Sequence, residues 1–262
     1  MLEMNPAGRP DWARSWYAPL ADVGAQVWQC WTSAGSAAIA LELARAQPAA
    51  GRHGCPVRFV PSQALPAGVA YEQFICTQGQ VPTRDNAHDL FNGLVWLHWP
   101  RAKRAMNRLQ AGEIARRGVG ATRGPVRDAL TLFDEDGALL AAPDALWQAL
   151  RGHRWAELFG PLRPLWRQAR LWVLGHAALE KLLTPYKSIT VNVLRAPPRL
   201  ADVAAADAWL ADWLAPERLV PKPFAPLPLL GVPGWWPANE SAGFYDDAAV
   251  FRPPRPHRPA AG

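Results

Sequence analysis

The sequence predicts an α+β fold that is mainly helical: one compact helical domain with a small β-hairpin and short-strand element and a Pro-rich C-terminal wrap. Three observations lead there. Several windows carry apolar residues at the i, i+3, i+4 spacing of amphipathic helices. A few short runs bounded by Pro or Gly have strand character, as Val57-Arg-Phe-Val60 does between Pro56 and Pro61. From Ala215 onward, prolines at 216, 221, 223, 226, 228, 233 and 237 deny the chain regular structure, while the apolar run 227–236 with Trp235 and Trp236 should wrap onto the core.

At 262 residues and 50% apolar side chains the chain sits near the upper limit of one hydrophobic core. Three regions are expected: an N-terminal helical decoration over 1–54, a core domain over 55–252, and a disordered Pro/Arg tail over 253–262. In order, helical pieces are expected at 12–17 and 36–46, then a loop over 47–54 and the strand at 57–60. A short helix over 71–77 is closed by Gly79. Pro82-Thr-Arg-Asp-Asn opens the next helix, with Thr83 or Asp85 as its cap, and Pro100 stops it. A second helix covers 101–117 and a Gly-rich loop 118–125. Strands over 129–133 and 138–141 flank Asp134-Glu-Asp-Gly137, which reads as a hairpin turn. Helices over 145–151 and 163–183, a strand over 188–194 and a surface helix over 201–214 complete the core.

Fourteen Trp against four Tyr favour a Trp-rich core over a platform for stacking bases or sugars. The net charge of +6 suggests nucleic acid until the charges are located. Arg252, Arg255 and Arg258 in the tail supply half of it, so charge alone supports an anionic partner only weakly. Cys30, Cys55 and Cys76 are odd in number and lack a CxxC, which argues against a disulfide framework and a cysteine zinc site. The first residues lack a basic stretch followed by an apolar one, and the apolar stretch 165–183 is broken by Arg167, Arg170, His176, Glu180 and Lys181. A cytoplasmic protein with no membrane span is expected; the sequence sets no oligomeric state.

The most informative helix carries Asp85, His88, Asp89 and Asn92. At about 100° per residue these four share an arc of roughly 100°, with Gly93, Trp96 and Trp99 continuing it. Leu90, Phe91, Leu94, Val95 and Leu97 cover the other sides, so the polar arc belongs in the interior or on the floor of a cleft. Capping accounts for one or two of these residues. It leaves His88 and Asn92 needing partners, each worth about 1–3 kcal/mol if buried unsatisfied. On the helix expected over 163–183, His176 and Glu180 fall in the core-facing stripe at i, i+4, where burial and mutual pairing pull their pKa values in opposite directions.

Three chemistries fit a convergence of His88, Asp89, Asn92, His176 and Glu180. General acid/base catalysis by a His and a carboxylate is favoured, with Arg84, Lys103, Arg127 or Lys187 holding an anionic substrate. Two His with carboxylates can also hold a divalent metal, although neither helix carries an HExxH spacing. Nucleophilic catalysis is weakest, for no Ser elbow or activated Cys context is present.

Other features carry less. Leu132-Phe-Asp-Glu-Asp-Gly-Ala-Leu139 is similar to the aspartyl loop of haloacid-dehalogenase-like phosphatases, but Ala138 replaces its Thr and about 130 residues precede it. Asp246-Asp247 reads as a solvated pair. The basic residues of 101–117 alternate with apolar ones as on an ordinary solvated face.

The stretches Pro82-Thr-Arg-Asp-Asn-Ala-His-Asp-Leu-Phe-Asn92-Gly-Leu-Val-Trp96, Arg127-Asp-Ala-Leu-Thr-Leu-Phe-Asp-Glu135 and Gly175-His-Ala-Ala-Leu-Glu180 resemble a family of uncharacterised proteobacterial proteins known as domain of unknown function 3025. The resemblance covers roughly residues 55–252. It implies a stand-alone bacterial protein and points to those stretches, but implies no activity. Three readings therefore stand in order: an enzyme, as hydrolase or transferase, acting on an anionic small molecule or nucleotide; a nucleic-acid or RNA-associated binding protein; and a scaffold whose polar groups are merely satisfied.

Overall fold

The computed structural model describes residues 8–47, 54–118, 124–241 and 243–253, so most of the expected loops over 47–54 and 118–125 and nearly all of the tail lie outside the described residues. The fold is α+β and mainly helical. Helices α1 (Ala21–Ala34) and α2 (Ala37–Ala46) come first, followed by β1 (Arg58–Pro61), α3 (Tyr71–Gln78) and β2 (Gln80–Thr83). The centre of the chain forms α4 (Ala87–His98), α5 (Pro100–Arg117), α6 (Pro125–Asp136), β3 (Gly137–Ala141), α7 (Asp144–Arg151) and α8 (Trp155–Phe159). Then come β4 (Arg170–Val173), α9 (His176–Lys181), β5 (Thr190–Ala196), α10 (Val203–Trp213), α11 (Pro216–Leu219) and β6 (Ala225–Pro228).

Local chemistry explains most boundaries. Gly79 ends α3 in the left-handed conformation expected of it. Asn86, rather than Thr83 or Asp85, caps α4: its side chain accepts from the Asp89 N–H at 2.8 Å. Pro100 opens α5 at the position where a missing N–H costs nothing, and the neighbouring N–H groups of Arg101 and Ala102 donate to the buried Asp207 carboxylate of α10 at 3.1 and 2.8 Å. Helix α1 was not expected, yet its buried Val23, Gly24, Val27 and Trp28 keep helical spacing and Gly35 closes it.

Two larger expectations fail. The hairpin at 134–137 is instead the last turn of α6 running directly into β3. The buried Val126, Ala129, Leu130 and Phe133 at i, i+3, i+4, i+7 hold the helix through Asp136, overriding the turn character of Asp-Glu-Asp-Gly. The long helix over 163–183 is instead a 3-10 turn (Arg163–Gln168), strand β4 and the short helix α9. Leu171, Trp172 and Val173 are strand formers that pair with β3, a partner some 30 residues away that local periodicity cannot register.

The four-stranded sheet has the order β4-β3-β5-β6. Central β3 is buried along its whole length, antiparallel to β4 and parallel to β5, while the Pro-rich chain contributes β6 antiparallel to β5. Strands β1 and β2 form a separate parallel pair. One continuous hydrophobic cluster joins all of these, and its tryptophans include Trp16, Trp28, Trp96, Trp99, Trp147, Trp155, Trp166 and Trp172. Trp235 and Trp236 pack against it, as the wrap required.

The N-terminal segment is tied into this core. Tyr17 stacks on Phe91 of α4, with centroids 5.7 Å apart, and its hydroxyl donates to the Leu179 carbonyl of α9 at 2.9 Å. Residues before the expected core domain thus brace the two helices that carry the polar residues. Among the described residues no helix is long and apolar enough to cross a membrane.

Candidate functional site: a histidine–carboxylate cleft

A cleft of about 430 Å³ opens between α3, α4, α6 and the start of α9, within the size range of small-molecule sites. Each wall has a local cause. The apolar face of α6 packs inward, which turns Arg127, Thr131, Asp134 and Glu135 toward the cleft at i, i+4, i+7, i+8. Helix α9 is placed by a close backbone crossing: the N–H groups of Leu174 and Gly175 both donate to the Gly137 carbonyl, at 3.1 and 2.8 Å. A Cβ on Gly175 would sit 2.4 Å from the Gly137 nitrogen, so only glycine lets the turn before His176 lie against the end of α6.

Four side chains meet there. His88 Nδ1 lies 2.9 Å from Glu180 Oε2, and His88 Nε2 lies 3.0 Å from His176 Nε2. The rings meet edge-on, with centroids 4.5 Å apart. Glu135 Oε2 completes the group, 3.4 Å from His176 Nε2 and 3.9 Å from His88 Nε2. His88, Glu135 and His176 therefore offer ligand atoms close enough together to hold one metal ion.

Burial sets the electrostatics. It pushes the His176 pKa down to about 4, against the pull of the Asp134 carboxylate, so the ring is uncharged at neutral pH. Desolvation also raises the Glu135 carboxyl, with Asp134 and Asp136 adding to it while His88 opposes. Asp134 goes the other way: burial alone would raise it, but the ammonium of Lys103 and its neighbours hold it below the usual carboxylate value.

Beneath the histidines lies a tighter layer. Lys103, 4% exposed, donates to Asn92 Oδ1 at 2.8 Å and to Asp134 Oδ1 at 2.5 Å, and Asn92 donates to the Tyr71 hydroxyl at 3.2 Å. Arg84 is clamped by Asp89, which accepts from its main-chain N–H at 2.7 Å and its guanidinium at 2.8 Å. Arg127 differs: its Nε is buried with no hydrogen-bond partner, and the residue lines the cleft.

A family model described as Protein of unknown function (DUF3025) matches residues 57–255. The chain belongs to that family. No curated protein and no solved structure matches it. The matched residues contain every side chain named in the cleft, whereas the bracing Tyr17 lies outside them.

The structure brings together His88, Asp89, Asn92, His176 and Glu180, and sets Arg84, Lys103 and Arg127 around them. It separates two others. Asp85, grouped with the arc on the wheel, lies before the helix and accepts from the Ala37 N–H at 2.7 Å, at the start of α2. Lys187 pairs with Asp247 at 3.0 Å over the rings of Phe244 and Phe251, away from the cleft. The lysine follows α9 by a turn that leads out to the C-terminal wrap, so closeness in sequence does not carry it to the site. Asp134 and Glu135, which sequence reasoning assigned to a turn, stand at the centre. The signal that finds them is the apolar spacing 126, 129, 130 and 133 behind Pro125. Helix α5 exposes Arg101, Arg104 and Arg108 on one face and turns Lys103, Asn107 and Gln110 inward.

Proposed function

We propose that the protein is an enzyme that hydrolyses, or transfers a group from, a small anionic substrate held in this cleft. The observation that carries the reading is the meeting of His88, His176 and Glu135 at one point open to the cleft, with Glu180 behind them. Glu180 accepts a hydrogen bond from His88 Nδ1–H, which fixes the ring and leaves Nε2 as the basic nitrogen. A water or substrate hydroxyl placed between Nε2 and Glu135 meets a base on one side. On the other it meets a carboxyl whose raised pKa favours holding a proton for the leaving group. Arg127 lines the cleft and supplies a guanidinium for the substrate's anionic group.

A purely structural network accounts for Lys103 and Asp89, which are enclosed with their partners, but less well for His88 and Glu135, which stand partly exposed at an open cleft.

The test is a turnover screen of the purified chain against phosphate esters and against carboxylate-bearing amides and esters. His88→Ala should lower kcat on the accepted class by about 10²–10⁴-fold, the usual share of a positioned acid or base. Arg127→Ala should mainly raise KM. Turnover that His88→Ala leaves intact, or none across both classes, overturns the reading.

A further inference from the structure

The two histidines meet nitrogen to nitrogen. Glu180 faces His88 Nδ1 at 2.9 Å, so that nitrogen carries a hydrogen. His88 Nε2 lies 3.0 Å from His176 Nε2, and His176 Nδ1 is buried 3.8 Å from the Asp134 carboxylate. With one hydrogen on each ring, a hydrogen on His176 Nδ1 leaves two lone pairs facing each other, and a hydrogen on His176 Nε2 leaves a bare buried nitrogen facing a carboxylate. A second proton held between the two Nε2 atoms relieves either clash, and so does a metal cation.

A cation between the rings removes both clashes at once, and the distances fit one. His88 Nε2, His176 Nε2 and Glu135 Oε2 form a triangle with sides of 3.0, 3.4 and 3.9 Å. The point equidistant from all three corners lies about 2.0 Å from each, the bond length of zinc to imidazole nitrogen and carboxylate oxygen. Two imidazoles aimed at such a point would have centroids about 4.7 Å apart, against the 4.5 Å found.

We infer that His88, His176 and Glu135 bind a single first-row divalent cation, with Glu180 as the carboxylate that orients His88 from behind. Three protein ligands with a side open to the cleft is the pattern of a catalytic centre rather than a closed structural one. Two nitrogens and one oxygen favour zinc among common cations and leave little affinity for calcium or magnesium. The inference rests on the proposed reaction for its purpose and changes the roles within it: with His88 Nε2 and Glu135 as ligands, the cation would acidify the water that the reaction uses, in place of the free ring and carboxyl. Binding itself needs no substrate.

The experiment is a titration of the full chain, stripped with a chelator, with Zn²⁺ and separately with Co²⁺, followed calorimetrically. One equivalent should bind in the micromolar range or tighter. His88→Ala and Glu135→Gln should each weaken that equivalent by at least about 100-fold, and Glu180→Gln by about 10–100-fold, as loss of an orienting partner does. His176 is deeply buried, so the partly exposed Glu135 and His88 decide the outcome if His176→Ala fails to fold. Asp246→Asn, outside the cleft, should change nothing. Absence of binding overturns the inference, and so does affinity that His88→Ala and Glu135→Gln leave intact. Binding with no turnover in the screen above would overturn the enzyme reading alone.

Discussion

The cleft and the C-terminal wrap are both rich in polar atoms set among aromatic rings, but they use them differently. In the wrap the donors close on nearby chain. Trp155 and Trp166 donate their indole N–H groups to the carbonyls of Arg252 and Leu158, and Asn239 donates to the carbonyls of Leu230 and Val232. Arg163 donates to the Tyr245 hydroxyl, and Phe159 lies among Trp155, Trp166, Tyr245 and Phe251. In the cleft, Arg127 Nε and His176 Nδ1 stay buried and unmet, and two imidazole nitrogens face each other. Buried atoms without a partner also occur in the wrap, at Asn239 Oδ1, and in the core, at the indole N–H groups of Trp12, Trp16 and Trp99; what sets the cleft apart is that titratable groups from separate helices line an open cavity.

That contrast can be broken at four places, from the largest expected effect to the smallest. Phe159→Ala should remove about 3–5 kcal/mol of stability by leaving a cavity under four rings, seen as a lower urea midpoint, with metal binding at the cleft unchanged in the folded chain. Gly175→Ala should cost about 1–3 kcal/mol, because its Cβ forces the backbone of α9 away from Gly137. Unlike the first variant it should also weaken metal binding, since His176 moves with the backbone. Arg127→Ala should alter stability by less than about 1 kcal/mol, because its buried Nε has no hydrogen bond to lose and its charge is only a minor influence on the nearby Glu72 carboxyl. Its effect should fall on KM instead, and a large drop in the urea midpoint would place Arg127 with the structural residues.

The smallest effect is a pH dependence at Glu72, whose side chain accepts from Asn107 Nδ2 at 2.5 Å beside the cleft. Burial, reinforced by the Asp134 charge, raises its carboxyl above the ordinary value of 4.5. The folded chain therefore binds this proton more tightly than the unfolded chain. The resulting stability is fully present below pH 4.5 and is lost as pH rises through the raised value. Urea denaturation across this range should show a fall in stability that Glu72→Gln flattens; parallel profiles would refute the assignment.

What was legible in the sequence follows the range of the forces involved. The polar arc of α4, without Asp85, and the i, i+4 placement of His176 and Glu180 depend only on helical geometry within a few residues, and both survive the folding. The placement survives even though the long helix drawn around it does not, because six helical residues suffice to set it; the expected mutual pairing does not survive, since the partly exposed Glu180 takes His88 instead. The Trp-rich core and the docking of the Pro-rich segment were likewise readable, for they follow from the cost of leaving indoles in water.

Only the tertiary structure decided the rest. Whether Asp134 and Glu135 end a helix or turn a hairpin depended on the apolar face of α6 finding a core to bury against. Whether residues 170–173 form strand or helix depended on β3. The meeting of His88, Glu135 and His176 required α9 to cross the end of α6 at Gly175, a contact between segments about 40 residues apart. The sequence by itself determined which residues share a helix face. Which faces share a cleft is a matter of long-range packing, where the partner of each surface is chosen by the whole chain at once.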